Sequence, residues 1–117
     1  MSPCVHDMAL RHKWHNDAWA EFEETLHYVY CEFGVQTAER VYAEALSRVR
    51  QLCLFPDSGI EYGDLYYEGS KVRILHMEKS SLIYCHDENE VIILAFWNNR
   101  RNPRDLSDIV ESRGPVS

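Results

Sequence analysis

Val91-Ile-Ile-Leu-Ala-Phe-Trp97 is the longest apolar run in the chain, and its reading decides the fold class. It is far too short to cross a membrane and lacks the in-out alternation of a half-exposed strand, so it predicts a strand covered on both faces. Upstream of it the period is two. Ser81 to His86 forms one strand, separated from the apolar run by the turn Asp87-Glu88-Asn89. Lys71 to Met77 forms another, with Val72, Ile74 and His76 alternating against Arg73, Leu75 and Met77, and a turn around Lys79-Ser80 joins the two. Asp64 to Glu68 predicts a short edge strand.

Before Phe55-Pro56-Asp57-Ser58-Gly59 the period lengthens to that of a helix. Proline cannot continue a helix and glycine favours a turn, so this segment ends whatever precedes it. Ala18, Phe22, Leu26, Val29 and Phe33 make one apolar stripe, with Glu21, Glu23, Glu24 and Glu32 mostly off it. Asn16 or Asp17 is placed to cap this helix, and Gly34 stands where a left-handed C-terminal cap belongs. A second helix runs from about Thr37 to Cys53 on Ala38, Val41, Tyr42, Ala45, Leu46, Val49 and Leu52. Two such helices joined by a few residues form an antiparallel hairpin. Met8 to Trp14 predicts a first strand, and a helical turn is expected near Asp105 to Glu111. The fold class is therefore α+β: an N-terminal strand, then a two-helix hairpin packed on a small antiparallel sheet.

No repeat or linker divides the 117 residues, which are read as one domain with a core of about 8–110. The start, Met1-Ser-Pro-Cys-Val-His-Asp7, lacks a basic region and an apolar stretch, so a cytoplasmic protein is expected. Cys4, Cys31, Cys53 and Cys85 are widely spaced, and in that compartment they read as reduced thiols buried in helices and a strand. No cofactor is expected. His12 and His15, three apart at a strand end, point to opposite faces and have no third ligand near, so no metal site is expected there either.

Charge narrows the function further. A general nucleic-acid binder is usually basic, whereas this chain carries a formal charge of −7. Any contact with nucleic acid must come from a local patch, and Arg100, Arg101 and Arg104 supply one immediately after the apolar strand. That local inversion of sign points to a binding surface rather than a solvated face.

The order of elements and several local motifs resemble the RelE/ParE toxin superfamily. The motifs are Leu52-Cys-Leu-Phe55-Pro56-Asp-Ser-Gly59, an arginine on the next strand in Lys71-Val-Arg73-Ile-Leu, the strand Ser81-Leu-Ile-Tyr84, and Trp97-Asn-Asn-Arg100-Arg101-Asn-Pro103-Arg104-Asp-Leu106. The resemblance spans about residues 8–110. It implies the toxin of a type II toxin–antitoxin system of the plasmid-stabilisation type, causing growth arrest and neutralised by a cognate antitoxin that wraps over its helices and sheet. It leaves two targets open: DNA gyrase for ParE-like members, and mRNA in the ribosomal A site, cut without a metal, for RelE-like members.

Metal-free RNA cleavage needs a base, cations for the phosphorane and an acid for the leaving oxygen. The nuclease reading makes Arg73 and Arg100 catalytic, with His86 the one imidazole nearby, at a hairpin end and off the family's catalytic positions. Ser81 stands where many nucleases carry a second arginine, and Leu106 where they carry a tyrosine. These departures favour the ParE-like reading, in which Trp97, Arg100, Arg101 and Arg104 bind target or antitoxin. A non-toxic interaction module or co-repressor remains a third reading. Each residue also has a plainer explanation: Arg73 pairing a helix carboxylate such as Glu39 or Glu44, Trp97 lying in the core. A helical hairpin on so small a sheet leaves apolar surface, so a homodimer or a toxin–antitoxin hetero-oligomer is expected.

Overall fold

In a computed structural model, which describes residues 9–99 and 105–114, the elements follow the order β1 (Arg11–Trp14), α1 (Asn16–Phe33), α2 (Val35–Leu54), β2 (Ile60–Tyr67), β3 (Ser70–His76), β4 (Ser80–His86), β5 (Glu90–Asn98) and α3 (Asp105–Ser112). The strands form one sheet in the order β1-β5-β4-β3-β2. The four from β2 to β5 make an antiparallel meander, but β1 lies parallel to β5, from Arg11 opposite Glu90 to Trp14 opposite Ile93. The sheet is thus mixed at one edge: β1 is not a hairpin partner of β5 but joins it from the far end of the chain.

Three local expectations are corrected. The hairpin connection is not a few residues but Gly34 alone, at φ 94° and ψ 173°, so α2 begins at Val35 rather than Thr37. That conformation is open essentially to glycine only, and it is extended rather than left-handed helical. The cap of α1 is His15, whose Nδ1 accepts the Asp17 amide at 3.1 Å; its Nε2 lies 2.9 Å from the Gly114 carbonyl. Both ring nitrogens are occupied, which fixes His15 as the tautomer with its proton on Nε2. The edge strand starts earlier than expected, at Ile60, and Glu68 and Gly69 make its turn at φ 48° and 85°. Paired positive φ values suit a two-residue turn between twisted strands.

The sheet is buried on both faces, as the unbroken run Val91–Trp97 required. On one face α1 and α2 press Ala18, Phe22, Ala45, Val49, Leu52 and Cys53 against Leu82, Tyr84, Val91, Ile93 and Phe96. Phe22 is the hub: its ring lies 4.9 Å from Phe96, 5.2 Å from Trp14, 5.6 Å from Trp19 and 5.9 Å from Tyr42. On the other face Val110 of α3 joins Tyr67, Val72, Ile83, Cys85, Leu94, Ala95 and Trp97. Leu94 and Ala95, though adjacent, share this face because Ile83 pairs with Ala95 while Tyr84 pairs with Ile93, leaving Leu94 as an inserted residue. Beyond that bulge the alternation is reset, so Phe96 meets the helices and Trp97 meets the second core.

β1 ends opposite Ile93, so the bulge lies where β5 has lost its neighbour. Side chains complete the edge there. The Glu21 carboxylate accepts the Phe96 amide at 3.1 Å, and Arg113 Nε donates to the Leu94 carbonyl at 2.8 Å. Arg113, its side chain 8% exposed, also pairs with Glu21 at 2.8 Å and Asp17 at 3.3 Å. We expect Arg113→Ala to destabilise the protein by about 2–4 kcal/mol in urea unfolding, since it strands a carbonyl and a partly buried carboxylate together. Lys at this position, which has no fork to span three acceptors, should restore only part of the loss.

Candidate functional site

The Phe-Pro-Asp-Ser-Gly segment after α2 is held from below by β3 and β4. Tyr84, fully buried on β4, donates its hydroxyl to the Pro56 carbonyl at 2.7 Å and accepts the Gly59 amide at 2.9 Å. Burial pushes the Tyr84 phenol above its ordinary range, so it stays protonated and able to donate. Gly59 is required by this contact. A Cβ there would meet the Tyr84 hydroxyl at 2.6 Å and the Ile74 carbonyl at 2.9 Å.

Arg73, on β3, lies directly across the ladder from Tyr84 and from Glu61. Its guanidinium donates to the Gly59 carbonyl at 2.9 Å and the Asp57 carbonyl at 3.3 Å, and it pairs with Glu61 at 3.2 Å and Asp57 at 3.4 Å. The carboxylates expected from helix α2, Glu39 and Glu44, are not its partners; the loop and the neighbouring strand supply them instead. His86 Nε2 reaches the same Asp57 oxygen at 2.7 Å. The hydrogen bond from His86 holds the Asp57 carboxyl below its usual value, outweighing the opposing effect of burial, and the Arg73 and His86 charges add to the lowering.

Two of the three nuclease candidates, Arg73 and His86, are therefore brought together, and both are bound to one carboxylate. The third, Arg100, lies outside the described residues, as do Arg101 and Arg104. Trp97 is 5% exposed within the second core. Position 106 falls within α3, and Ser81 is buried, with its hydroxyl donating to Asn99 Oδ1 at 2.6 Å and lying 2.9 Å from His76 Nδ1.

Asn99 was not singled out by sequence reasoning, yet it anchors the end of β5. Its amide group donates to the Met77 and Ser80 carbonyls, both at 3.3 Å, and its backbone N–H to Lys79 at 3.1 Å. The end of β5 is thereby stitched to the β3–β4 turn. A groove of about 350 Å³ opens between that turn and α2, lined by the apolar Val41, Met77 and Phe96 and by both charges, Arg40 and Lys79 with Glu44 and Glu78. The only sequence signal for Asn99 was its place before two arginines; that of Arg113, a lone cation near a Gly-Pro pair, was none.

The cysteines divide. Cys53 and Cys85 are buried free thiols, and burial pushes Cys85 up to about 12, which leaves it unreactive. Cys31, expected inside a helix face, is exposed on α1. No helix among the described residues is long and apolar enough to cross a membrane.

An N-terminal strand, a helical hairpin and an antiparallel meander with an arginine-held loop define a small α+β fold. A chain of the chromosomal ParDE toxin–antitoxin system from P. aeruginosa shares it, with a TM-score of 0.61 over 78% of this chain and 97% of that one, at 19% identity. The family model for the ParE toxin of type II toxin–antitoxin systems matches residues 12–103, and the chain belongs to that family. No curated protein matches it significantly.

Because the folded-state value of Asp57 is depressed, its contribution to stability is present above 3.8 and is lost as pH falls through the lower folded value. Asp57→Asn should therefore lower stability at neutral pH, with the difference from wild type shrinking as pH drops below 3.8 in paired denaturation curves. A difference that does not change with pH would contradict this. Tyr84→Phe should cost about 1–3 kcal/mol by the same measurement, since it leaves two buried loop groups without a partner.

Proposed function

We propose that this chain is a toxin that inhibits DNA gyrase by binding, through the basic run Arg100, Arg101 and Arg104, and that a cognate antitoxin neutralises it in the cytoplasm. The observation that carries the preference for binding over RNA cleavage is the state of Arg73. Its side chain is 17% exposed and committed to two loop carbonyls and two carboxylates. A cation needed for a phosphorane must face the phosphate; this one would first have to leave four oxygens that hold a loop in place. Membership of the ParE toxin family supports the same choice of target class. The antitoxin reading draws on the family and on the ParDE neighbour, whose system pairs the two components. The groove beside α2, with Val41, Ala45, Met77 and Phe96 in its lining, supports the docking of such a partner there.

The joint hold of Arg73 and His86 on Asp57 keeps a second reading in view, a ribosome-dependent mRNA endonuclease. Induction of the chain without antitoxin separates the two. We expect methionine incorporation to continue while growth stops, and purified gyrase to lose supercoiling activity in its presence. Replacing all three arginines of the run by alanine should weaken gyrase inhibition by about tenfold or more, since each lost charge-assisted contact is worth about 1 kcal/mol or more. Arg73→Gln, assayed where it remains folded, should leave inhibition intact. A prompt collapse of protein synthesis with gyrase unaffected would reject the proposal in favour of RNA cleavage.

A further inference from the structure

His27 and Cys31 stand one helical turn apart on α1, with Cys31 Sγ 3.7 Å from His27 Nε2. At 100° per residue they fall at the centre of the face opposite the buried Ala18 and Phe22, and both are exposed. Nothing in the core or in the loop clamp uses them. Zinc bonds of about 2.3 Å to sulfur and about 2.05 Å to nitrogen at a tetrahedral angle span roughly 3.6 Å, so the pair already has the bite of two zinc ligands. The helix supplies that spacing without further ordering, because residues four apart are neighbours on its surface.

We propose that His27 and Cys31 are half of a zinc site, completed by the same pair from a second copy of this chain. Among the described residues no third His, Cys, Asp or Glu joins them, so one chain alone offers two ligands to an ion that takes four in closed sites. A two-fold axis through the metal supplies the other two and crosses one α1 helix over its partner. The surface around the pair suits that crossing. Tyr28 and Tyr30 flank it at 59% and 56% exposure, and the exposed Glu23 and Glu24 precede it by one turn. Tyrosine is enriched at interfaces, and these two lie away from the groove beside α2. On binding, each thiol gives up one proton to solvent, so two thiolates balance the divalent ion and the closed site is neutral. The inference stands independently of the target of the toxin.

The test uses the full chain with Cys4→Ser as reference, so that Cys31 is the one accessible thiol beside the buried Cys53 and Cys85. Cobalt(II) serves as the spectroscopic stand-in for zinc. Its titration should raise a thiolate charge-transfer band and intense tetrahedral visible bands, saturating at one metal per two chains. Sedimentation should show a dimer that a chelator returns to monomer. His27→Ala and Cys31→Ser should each abolish the bands and the dimer while leaving the far-ultraviolet dichroism unchanged. Absence of the bands, saturation at one metal per monomer, or bands that persist in Cys31→Ser would each overturn the proposal.

Discussion

The Arg113 guanidinium closes a defect that the rest of the sheet requires. An inserted residue at Leu94 lets β5 serve two cores, turning Phe96 toward the helical hairpin and Trp97 toward the opposite face. The insertion also frees a carbonyl and an amide just where β1 has run out. Unpaired backbone groups at a half-buried edge are costly and invite pairing with another chain. Glu21 and Arg113 answer one group each and then pair with one another, tying α1 and the segment after α3 to the same two peptide units. His15 and Tyr67 extend this closure by meeting at the Gly114 carbonyl. The start of the helical hairpin, the bulge and the chain after α3 are therefore one construction.

The same economy governs the loop after α2. Arg73, Tyr84 and His86 spend their polar groups on Pro56, Asp57 and Gly59, with Glu61 adding a second carboxylate. Arg113 follows the same rule, its guanidinium held by Asp17, Glu21 and the Leu94 carbonyl. Among the described residues, the groove beside α2 and the outer face of α1 remain as surface that these ties do not use.

Much of the architecture was legible in the residues. Periods of two and of 3.6 separated strands from helices, and the unbroken run Val91–Trp97 announced a strand covered twice. What failed did so for local reasons. The cap passed to His15 because its ring could serve Asp17 and Gly114 together, a distant contact that no short window contains. Arg73 could be seen as an arginine on a strand, but its partners lie 12 to 16 positions away, on β2 and in a loop whose path depends on Tyr84. Trp97, assigned to the binding surface, lies instead in the second core at 5% exposure, the plainer reading that the apolar run leading into it also offered.

By itself the sequence determined the class of fold, the order of its elements and the motifs that place it among ParE toxins, because those depend on periodicity and turn chemistry within a few residues. Tertiary structure alone decided which polar side chains were spent inside. The parallel placement of β1, the bulge at Leu94 and the choice of Arg113, Arg73 and Asn99 as internal ties arise from contacts between segments far apart in the chain. Even the His27–Cys31 pair, one turn apart, acquires its meaning only when the opposite face of α1 is buried and theirs is not. Burial is a property of the assembled molecule, and it is burial that separates a side chain holding the fold from one free to bind.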